Sequence, residues 1–248
     1  MYLEACTWGL LRSFLNAFTK TPLHNTKNGG GPASNMQPPR SVDVARLGIS
    51  EYAKVEQEMR RLQNARLAEK IPDTLLIVEH PEIVTIGPGA RRDGVIVPDG
   101  YPTTDVDRGG GITWHGPGQL VVYPIFKWDL EGEENVKRIT SKLESWAILA
   151  LAARGIEAGT DERMQGIWIE GAKVGSVGLA FKRWVSRHGF TINYATPKGR
   201  VEALNGCGLT AGTTTSLNRL EYELNRDELI DALLEKMPIA LNRIDAKS

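Results

Sequence analysis

Cysteine is scarce in this sequence, charge is balanced, and no apolar run is long. Only Cys6 and Cys207 occur among 248 residues, and their separation excludes a disulfide framework and a paired metal-ligand spacing. Such sparse cysteine is typical of a reducing compartment. Thirty basic residues balance 30 acidic ones, so charge predicts neither a nucleic-acid partner nor an anionic membrane surface. The longest apolar runs, such as 120–126, are far shorter than the roughly 20 residues that cross a bilayer, so no membrane span is predicted.

The first 40 residues differ in composition from the rest of the chain. An amphipathic start is followed by glycine and proline clusters at 28–32 and 36–39, which indicate an appendage and a linker. A mitochondrial presequence is an alternative, but Glu4 lies early and Arg12 is the only arginine before Arg40. The sequence predicts an N-terminal extension over residues 1–40 and one domain over residues 41–248, with the cytoplasm preferred over the mitochondrial matrix.

Hydrophobic periodicity after residue 40 predicts a strand and then a helix. Val42 and Val44 alternate as a strand requires, and apolar residues recur at helical spacing from Tyr52, with Ser50 as the expected N-cap. Apolar runs predict three more strands in the first half of the domain, at 74–79, 83–86 and 120–126.

The second half of the domain contains two further predicted helices and a run of predicted strands. Apolar spacing from Val136 to Ala150 predicts one helix, and Asn225 with Glu228 forms a capping pair that opens the other. Between them, three consecutive strands are predicted at 167–170, 173–181 and 184–193. Because these strands follow one another without intervening helices, they favour an α+β fold with a mixed, largely antiparallel sheet flanked by helices.

The densest cluster of glycine and polar residues is the segment 108–119, which runs Arg-Gly-Gly-Gly-Ile-Thr-Trp-His-Gly-Pro-Gly-Gln. A stretch with so few side chains lets a ligand approach backbone N–H groups closely, while Arg108, Thr113, His115 and Gln119 supply polar side chains. Considered alone, a structural loop with a hydrogen-bonded histidine is an equally good interpretation. The segment lacks both the ending of a phosphate-binding P-loop and the glycine spacing of a Rossmann turn.

This segment resembles the signature of the lipoyl(octanoyl) transferases, the lipoate-protein ligase B family. The resemblance extends to Glu-His-Pro at 79–81, Tyr-Pro-Ile at 123–125, Gly-Ile-Trp at 166–168, Lys-Val-Gly-Ser-Val-Gly at 173–178 and His-Gly-Phe-Thr-Ile-Asn at 188–193. It covers nearly everything but the N-terminal extension. It implies the fold shared by biotin and lipoate protein ligases, an octanoyl group carried on acyl carrier protein, and an acceptor lysine on lipoyl domains of 2-oxoacid dehydrogenase complexes or the glycine-cleavage H protein.

The resemblance also points to a cysteine and a lysine as catalytic residues. Cys207 has glycine on either side, which leaves its sulfur open to a substrate, and it resembles the nucleophile of the family. Gly206 replaces the usual proline, which loosens the turn without removing a chemical group. An arbitrary lysine at the position of Lys173 would be expected to extend to the surface. Beside Cys207, its ammonium group would instead favour the thiolate and exchange a proton near neutral pH.

The residues that the resemblance implies around the acyl chain fall into three segments. They are Arg108, Gly109, Gly110, Gly111, Ile112, Thr113, Trp114 and His115, then Ser176, Val177 and Gly178, and finally Gly189, Phe190 and Thr191. His80 is expected to end a strand with a structural hydrogen bond, and His188 either to line the acyl pocket or to be a hydrogen-bonded strand residue. No cofactor and no metal are predicted, and we expect a monomer.

The predicted chemistry requires no ATP. Attack of a thiolate on a thioester forms another thioester at little net free-energy change, and attack of an amine then forms a more stable amide. This chemistry suits Cys207 as the nucleophile of an acyltransferase, and the resemblance implies that the acyl group is octanoyl. The nearest alternative is an ATP-dependent lipoate or biotin ligase, which needs no cysteine. A non-catalytic domain that binds lipoylated proteins would need neither Lys173 nor Cys207, and no local sequence around Cys207 matches a Cys-His protease.

Deletion of residues 1–40 tests the predicted domain boundary. Because a glycine- and proline-rich linker separates the extension from the first periodic strand, we expect the shortened protein to keep full catalytic activity and solubility. Turnover and the unfolding midpoint of both proteins provide the measurement. Loss of activity or solubility on deletion would show that the extension packs on the domain.

Overall fold

The computed structural model describes residues 38–92, 97–204 and 212–248. The strands in these ranges are β1 (Arg40–Ile49), β2 (Asp73–Glu79), β3 (Ile83–Ile86), β4 (Thr103–Asp105), β5 (Ile112–His115), β6 (Gln119–Ile125), β7 (Gly159–Asp161), β8 (Met164–Ile169), β9 (Ala172–Gly175), β10 (Val177–Lys182), β11 (Val185–Asn193) and β12 (Arg243–Asp245). The helices are α1 (Tyr52–Leu67), α2 (Pro88–Arg92), α3 (Val136–Ala152) and α4 (Arg226–Leu241), with a 3-10 turn at Leu217–Leu220. No helix within the described ranges is long and apolar enough to cross a membrane.

Six strands form the main sheet, in the order β10-β11-β6-β2-β1-β12. β1 pairs in parallel with β2 and β12, whereas β2 with β6, β6 with β11, and β11 with β10 are antiparallel pairs. Two three-stranded sheets, β4-β3-β5 and β7-β8-β9, contain one parallel pair and three antiparallel pairs. The predicted α+β fold with a mixed, largely antiparallel sheet is confirmed.

The central strands of the main sheet are buried on both faces. Leu75 and Ile77 of β2 join the core that α3 and α4 cover, while Leu76 and Val78 join the core beneath α1. Successive side chains of a strand point to opposite faces, so a strand covered on both sides has a continuous apolar sequence. This explains why 75–78 and 120–126 are uninterrupted apolar runs.

The sequence predicts the N-terminal caps of two helices, and the structure confirms one of them and contradicts the other. Asn225 and Glu228 form the predicted capping box, in which each side chain accepts a hydrogen bond from the backbone N–H of the other at 3.0 Å. The prediction of Ser50 as the N-cap of α1 is wrong. Glu51 occupies that position without a side-chain cap bond, because the Ser50 hydroxyl donates back to the Leu47 carbonyl oxygen at 3.0 Å.

The predicted continuous strand over 173–181 is divided at Ser176 into β9 and β10, which belong to different sheets. At the division, the Thr191 amide donates to the Ser176 carbonyl oxygen at 2.9 Å, and the Ser176 amide donates to the Thr191 hydroxyl at 3.2 Å. The chain therefore leaves one sheet and enters the other against β11. Apolar periodicity continues across this junction, so the sequence gives no sign of it.

A fully buried arginine joins the last strand to the rest of the domain. The guanidinium of Arg243 donates to Asp73 at 3.0 Å and to Glu133 at 2.6 Å, and it lies 4.8 Å from the ring centroids of Phe126 and Trp128. Buried charges persist when they are paired and hydrogen-bonded, as here. This network fixes β12 at the sheet edge, beside β1.

Candidate active site

A glycine-rich loop over residues 108–111 lies directly against strand β10. The Gly109 amide donates to the Leu179 carbonyl oxygen at 2.9 Å, which ties the loop to the main sheet. A Cβ atom on Gly178 would lie 2.9 Å from the Gly109 carbonyl oxygen, closer than real Cβ contacts. Gly110 has a φ of +91°, which glycine adopts without strain. The close approach of two backbones therefore requires glycine at these positions.

The guanidinium of Arg108 holds the other side of this loop. It donates to the carbonyl oxygens of Gly109 and Gly111 at 3.1 Å each, and to the carbonyl oxygen and hydroxyl of Thr85 at 3.1 and 2.7 Å. Arg108 is buried, so these charge-assisted hydrogen bonds are shielded from water. The arginine joins the loop to strand β3 while its side chain forms part of the site wall.

Two cavities with a common wall lie between this loop and the main sheet. The larger has a volume of about 190 Å³ and is lined by the predicted residues Arg108, Gly109, Gly110, Gly111, Ile112, Thr113, Trp114, Lys173, Ser176, Val177 and Thr191. The smaller has a volume of about 30 Å³, and its wall adds the predicted residues His115, Gly178, Gly189 and Phe190. The fold thus brings together every residue predicted around the acyl chain. Their binding of an acyl chain stays a prediction.

Several residues of the two walls were not among those predicted around the acyl chain. Those of the larger cavity are Gln119, Met164, Gln165, Asn193, Val201, Leu204 and Thr214, and those of the smaller one are Tyr52, Val121 and Tyr123. Gln119, Tyr123 and Asn193 belong to segments that carry the resemblance, which was the available signal for them. The Gln119 amide donates to the Asn193 side-chain oxygen at 2.9 Å. The remaining residues have no local signal in the sequence.

Lys173 is buried and lines the larger cavity, so it does not extend to the surface as an arbitrary lysine at this position would. Its ammonium group donates to the Met164 sulfur at 3.0 Å. Gly166 makes room for the side chain, because a Cβ atom there would lie 2.5 Å from the Lys173 Cε atom. A buried lysine beside a cavity is unusual for a structural residue and typical of functional sites.

The backbone of Lys173 pairs with the chain that follows Cys207. The Lys173 amide donates to the Thr213 carbonyl oxygen at 2.8 Å, and the Thr215 amide donates to the Lys173 carbonyl oxygen at 2.9 Å. Leu204 and Thr214, which flank the cysteine segment on either side, both line the larger cavity. Cys207 itself lies outside the described residues, as does Cys6.

Comparison with known proteins assigns this arrangement to a family. The model of the lipoyl protein ligase A/B catalytic domain matches residues 52–238, well over half of the chain. The chain belongs to this family. An octanoyltransferase from Syntrophobacter fumaroxidans (strain DSM 10017 / MPOB) is 37% identical over 187 residues, which cover 73% of this chain and 82% of that protein. The family resemblance stated from the sequence is confirmed.

Solved structures share the fold of this lipoyl protein ligase A/B domain. A lipoate-protein ligase A bound with ATP has a TM-score of 0.60 at 12% identity, with 84% of this chain and 87% of that chain covered. A biotin protein ligase from Aquifex aeolicus in complex with biotin and ATP has a TM-score of 0.51 at 14% identity, with 80% and 70% covered. At such low identity these structures establish the fold alone. They confirm the predicted biotin/lipoate protein ligase-like architecture.

A buried carboxylate next to Lys173 in this family domain was missed by the sequence analysis. Glu144 of α3 accepts a hydrogen bond from the Gly166 amide at 2.8 Å. Burial raises the pKa of Glu144, while this hydrogen bond and the charge of Lys173 lower it. The feature that could have revealed Glu144 is that it is the single acidic residue among the buried positions of α3. Glu144 holds strand β8 beside the lysine and supplies an opposite charge to it.

The histidines of the site are neutral hydrogen-bonding residues. His115 donates from Nδ1 to the Gln119 side-chain oxygen at 2.8 Å, because the Gln119 amide nitrogen already donates to Trp114 and Asn193. Burial lowers the pKa of His115 well below its ordinary value. His115 therefore orients Gln119 rather than carrying protons near neutral pH.

The other two histidines have partners of different kinds. His188 pairs through Nε2 with Asp107 at 3.1 Å, and this bond is the main cause of the lowered pKa of Asp107. His80 donates from Nδ1 to the Ser50 carbonyl oxygen at 2.7 Å and accepts from the Tyr123 hydroxyl at 3.0 Å. His80 thus makes the structural hydrogen bonds expected of it, and burial lowers its pKa to about 4.

Replacement of His80 tests how burial of a neutral imidazole links stability to pH. The pKa of His80 is lower in the folded than in the unfolded chain, so the unfolded chain takes up the proton first and stability falls as the pH drops below about 6.5. For a fall from pH 7 to pH 4, His80 alone accounts for a loss of about 3 kcal/mol of unfolding free energy. In His80→Asn, which can still donate to Ser50, we expect the total loss over this range to be smaller by about that amount.

Urea unfolding of both proteins at several pH values between 4 and 7 provides the measurement. An equal pH dependence in the wild type and in His80→Asn would show that His80 is not buried as a neutral side chain in the folded protein.

Proposed function

We propose that this chain transfers an octanoyl group from acyl carrier protein, through a thioester on Cys207, to a lysine of a lipoyl domain. The acceptors are lipoyl domains of 2-oxoacid dehydrogenase complexes and the glycine-cleavage H protein. The observation that carries the proposal is the buried Lys173, which lines a cavity together with both flanks of the cysteine segment. The 37% identity to an octanoyltransferase supports octanoyl as the acyl group, and membership of the lipoyl protein ligase A/B family supports a protein as the acceptor.

The reaction balances without another reactant. The Cys207 thiolate attacks the octanoyl thioester carbonyl, the carrier thiolate leaves, and Lys173 passes its proton to that leaving group. The neutral amine of the acceptor lysine then attacks the Cys207 thioester. Cys207 leaves as thiolate, an amide forms, and the proton of the attacking amine returns to Lys173.

Backbone N–H groups are the proposed stabilisers of the oxyanion in both steps. The Gly109 amide is engaged with the Leu179 carbonyl oxygen, so this role falls to the amides of Gly110, Gly111 or the segment around Cys207.

The alternative is an ATP-dependent ligase, because ligases have the same fold. A ligase activates a free acid as an adenylate and has no need of a cysteine nucleophile. Two features suit a covalent intermediate instead. Cys207 has glycine on both sides, and strand β9 pairs with the chain that follows the cysteine segment.

The cytoplasmic location and the monomeric state stay predictions.

Intact mass measurement tests the covalent step. Incubation with octanoyl-acyl carrier protein in the absence of ATP should add one octanoyl group, which hydroxylamine removes and which Cys207→Ala abolishes. Cys6→Ala is the matched control and should keep the adduct. Turnover that requires Mg-ATP and free lipoate, and that persists in Cys207→Ala, would establish the ligase instead.

Replacement of Lys173 tests the proposed pair in a Cys6→Ala background, where Cys207 is the only thiol. A free thiol ionises near pH 8.5, and a neighbouring cation lowers that value by about one to three units. Lys173→Met keeps the bulk of the side chain without the charge, so the pH midpoint of Cys207 alkylation should rise and acylation should slow. Lys173→Arg should restore the midpoint but not transfer, because arginine does not release its proton.

Lys182→Met is the control for this experiment, since Lys182 is exposed and bonds only to Asn64 among the described side chains. An unchanged midpoint in a folded Lys173→Met protein would mean that Lys173 and Cys207 are not neighbours.

A further inference from the structure

Tyr52 lines the smaller cavity, and its hydroxyl group is buried. Tyr52 is 5% exposed, and among the described residues its hydroxyl finds no hydrogen-bonding group. The ring lies 5.9 Å from His115 in a stacked arrangement and 5.3 Å from His80 in an edge arrangement, which fixes its direction. Burial raises the pKa of Tyr52, so the group is a neutral donor and acceptor. An unpaired buried hydroxyl is destabilising, so such a group ordinarily has a bound partner.

Three polar side chains near Tyr52 are hydrogen-bonded within the protein. His115 is bonded to Gln119, His188 to Asp107, and Tyr123 to His80. Among these four side chains, Tyr52 is the one whose polar group has no partner among the described residues.

Tyr52 lies on the side of the site away from Lys173. Lys173 lines the larger cavity only, Tyr52 lines the smaller one only, and the two cavities share a wall that includes Thr113, Ser176 and Thr191. An acyl chain whose carbonyl carbon lies near Lys173 would extend past this shared wall toward Tyr52. The smaller cavity holds about 30 Å³, which is room for one or two water molecules in a site that offers several hydroxyl groups.

We propose that Tyr52 binds a water molecule at the end of the acyl site and thereby limits the length of the acyl chain. This rests on the proposed acyl transfer and adds its length-determining residue. A longer chain has to displace the water and leave the Tyr52 hydroxyl without a hydrogen bond. This weakens binding of the chain by about tenfold or more. The loss offsets the gain in binding from burying two further methylene groups. A polar end group would instead replace the water and keep the hydrogen bond.

The ratio of kcat/KM for decanoyl-carrier protein to that for octanoyl-carrier protein tests this proposal. In Tyr52→Phe the ratio should rise about fivefold to tenfold, because no hydroxyl is left to be stranded. Tyr222→Phe, which removes a hydroxyl from a residue that lines neither cavity, should leave the ratio unchanged. An unchanged ratio in Tyr52→Phe, with octanoyl transfer intact, would overturn the role of Tyr52 and leave the proposed function standing. Failure of the wild type with every acyl donor would overturn both.

A second measurement uses the wild type alone and so does not depend on folding of a variant. A nonanoyl chain and an 8-hydroxyoctanoyl chain have the same length and differ in whether the last group can bond to Tyr52. We expect transfer of the two chains at rates within about threefold of each other, because a hydrogen bond to Tyr52 compensates for desolvation of the hydroxyl. Transfer of the hydroxylated chain more than about tenfold more slowly than nonanoyl would show that this end of the site is apolar and would overturn the proposal.

Discussion

The site depends on the close contact between the glycine-rich loop and strand β10. This contact forms because Gly178 carries no side chain and because the Gly109 amide donates to the Leu179 carbonyl oxygen. Arg108 then fixes the loop from the other side through three carbonyl oxygens and one hydroxyl. Arg108 of this loop lines both cavities, so a side chain at Gly178 would displace the loop and change the shape of the site.

The two buried histidines of the inner part of the site are neutral. Burial keeps His80 and His115 unprotonated, and each is held by two hydrogen-bonding neighbours rather than by a counter-charge. Such a network orients side chains through hydrogen bonds. Arg108 lines both cavities, and its charge is engaged by three carbonyl oxygens and one hydroxyl. Lys173 lines the larger cavity only, so the lysine of the proposed proton transfer lies at one end of the site.

The division of one apolar stretch into β9 and β10 gives the site its lysine. β9 pairs with β8 in a small sheet and β10 pairs with β11 in the main sheet, so the chain changes direction at Ser176. Lys173 of β9 is buried and lines the larger cavity instead of extending into solvent. The backbone of the same strand binds the chain beyond the cysteine segment, so one element supplies the lysine and anchors that chain.

The sequence by itself determined the fold class, the family, the capping box of α4 and the segments that form the site walls, because periodicity, capping and a long glycine motif are local properties. The N-cap of α1, the break at Ser176, the buried Glu144 and the unpaired Tyr52 hydroxyl were decided by tertiary structure alone. Each depends on contacts between residues far apart in the chain. Tyr52 shows the reason most clearly, since at helical spacing a core tyrosine and a cavity-lining tyrosine have the same pattern. Only the packing of α1 against β6 and β11 makes its hydroxyl part of a site.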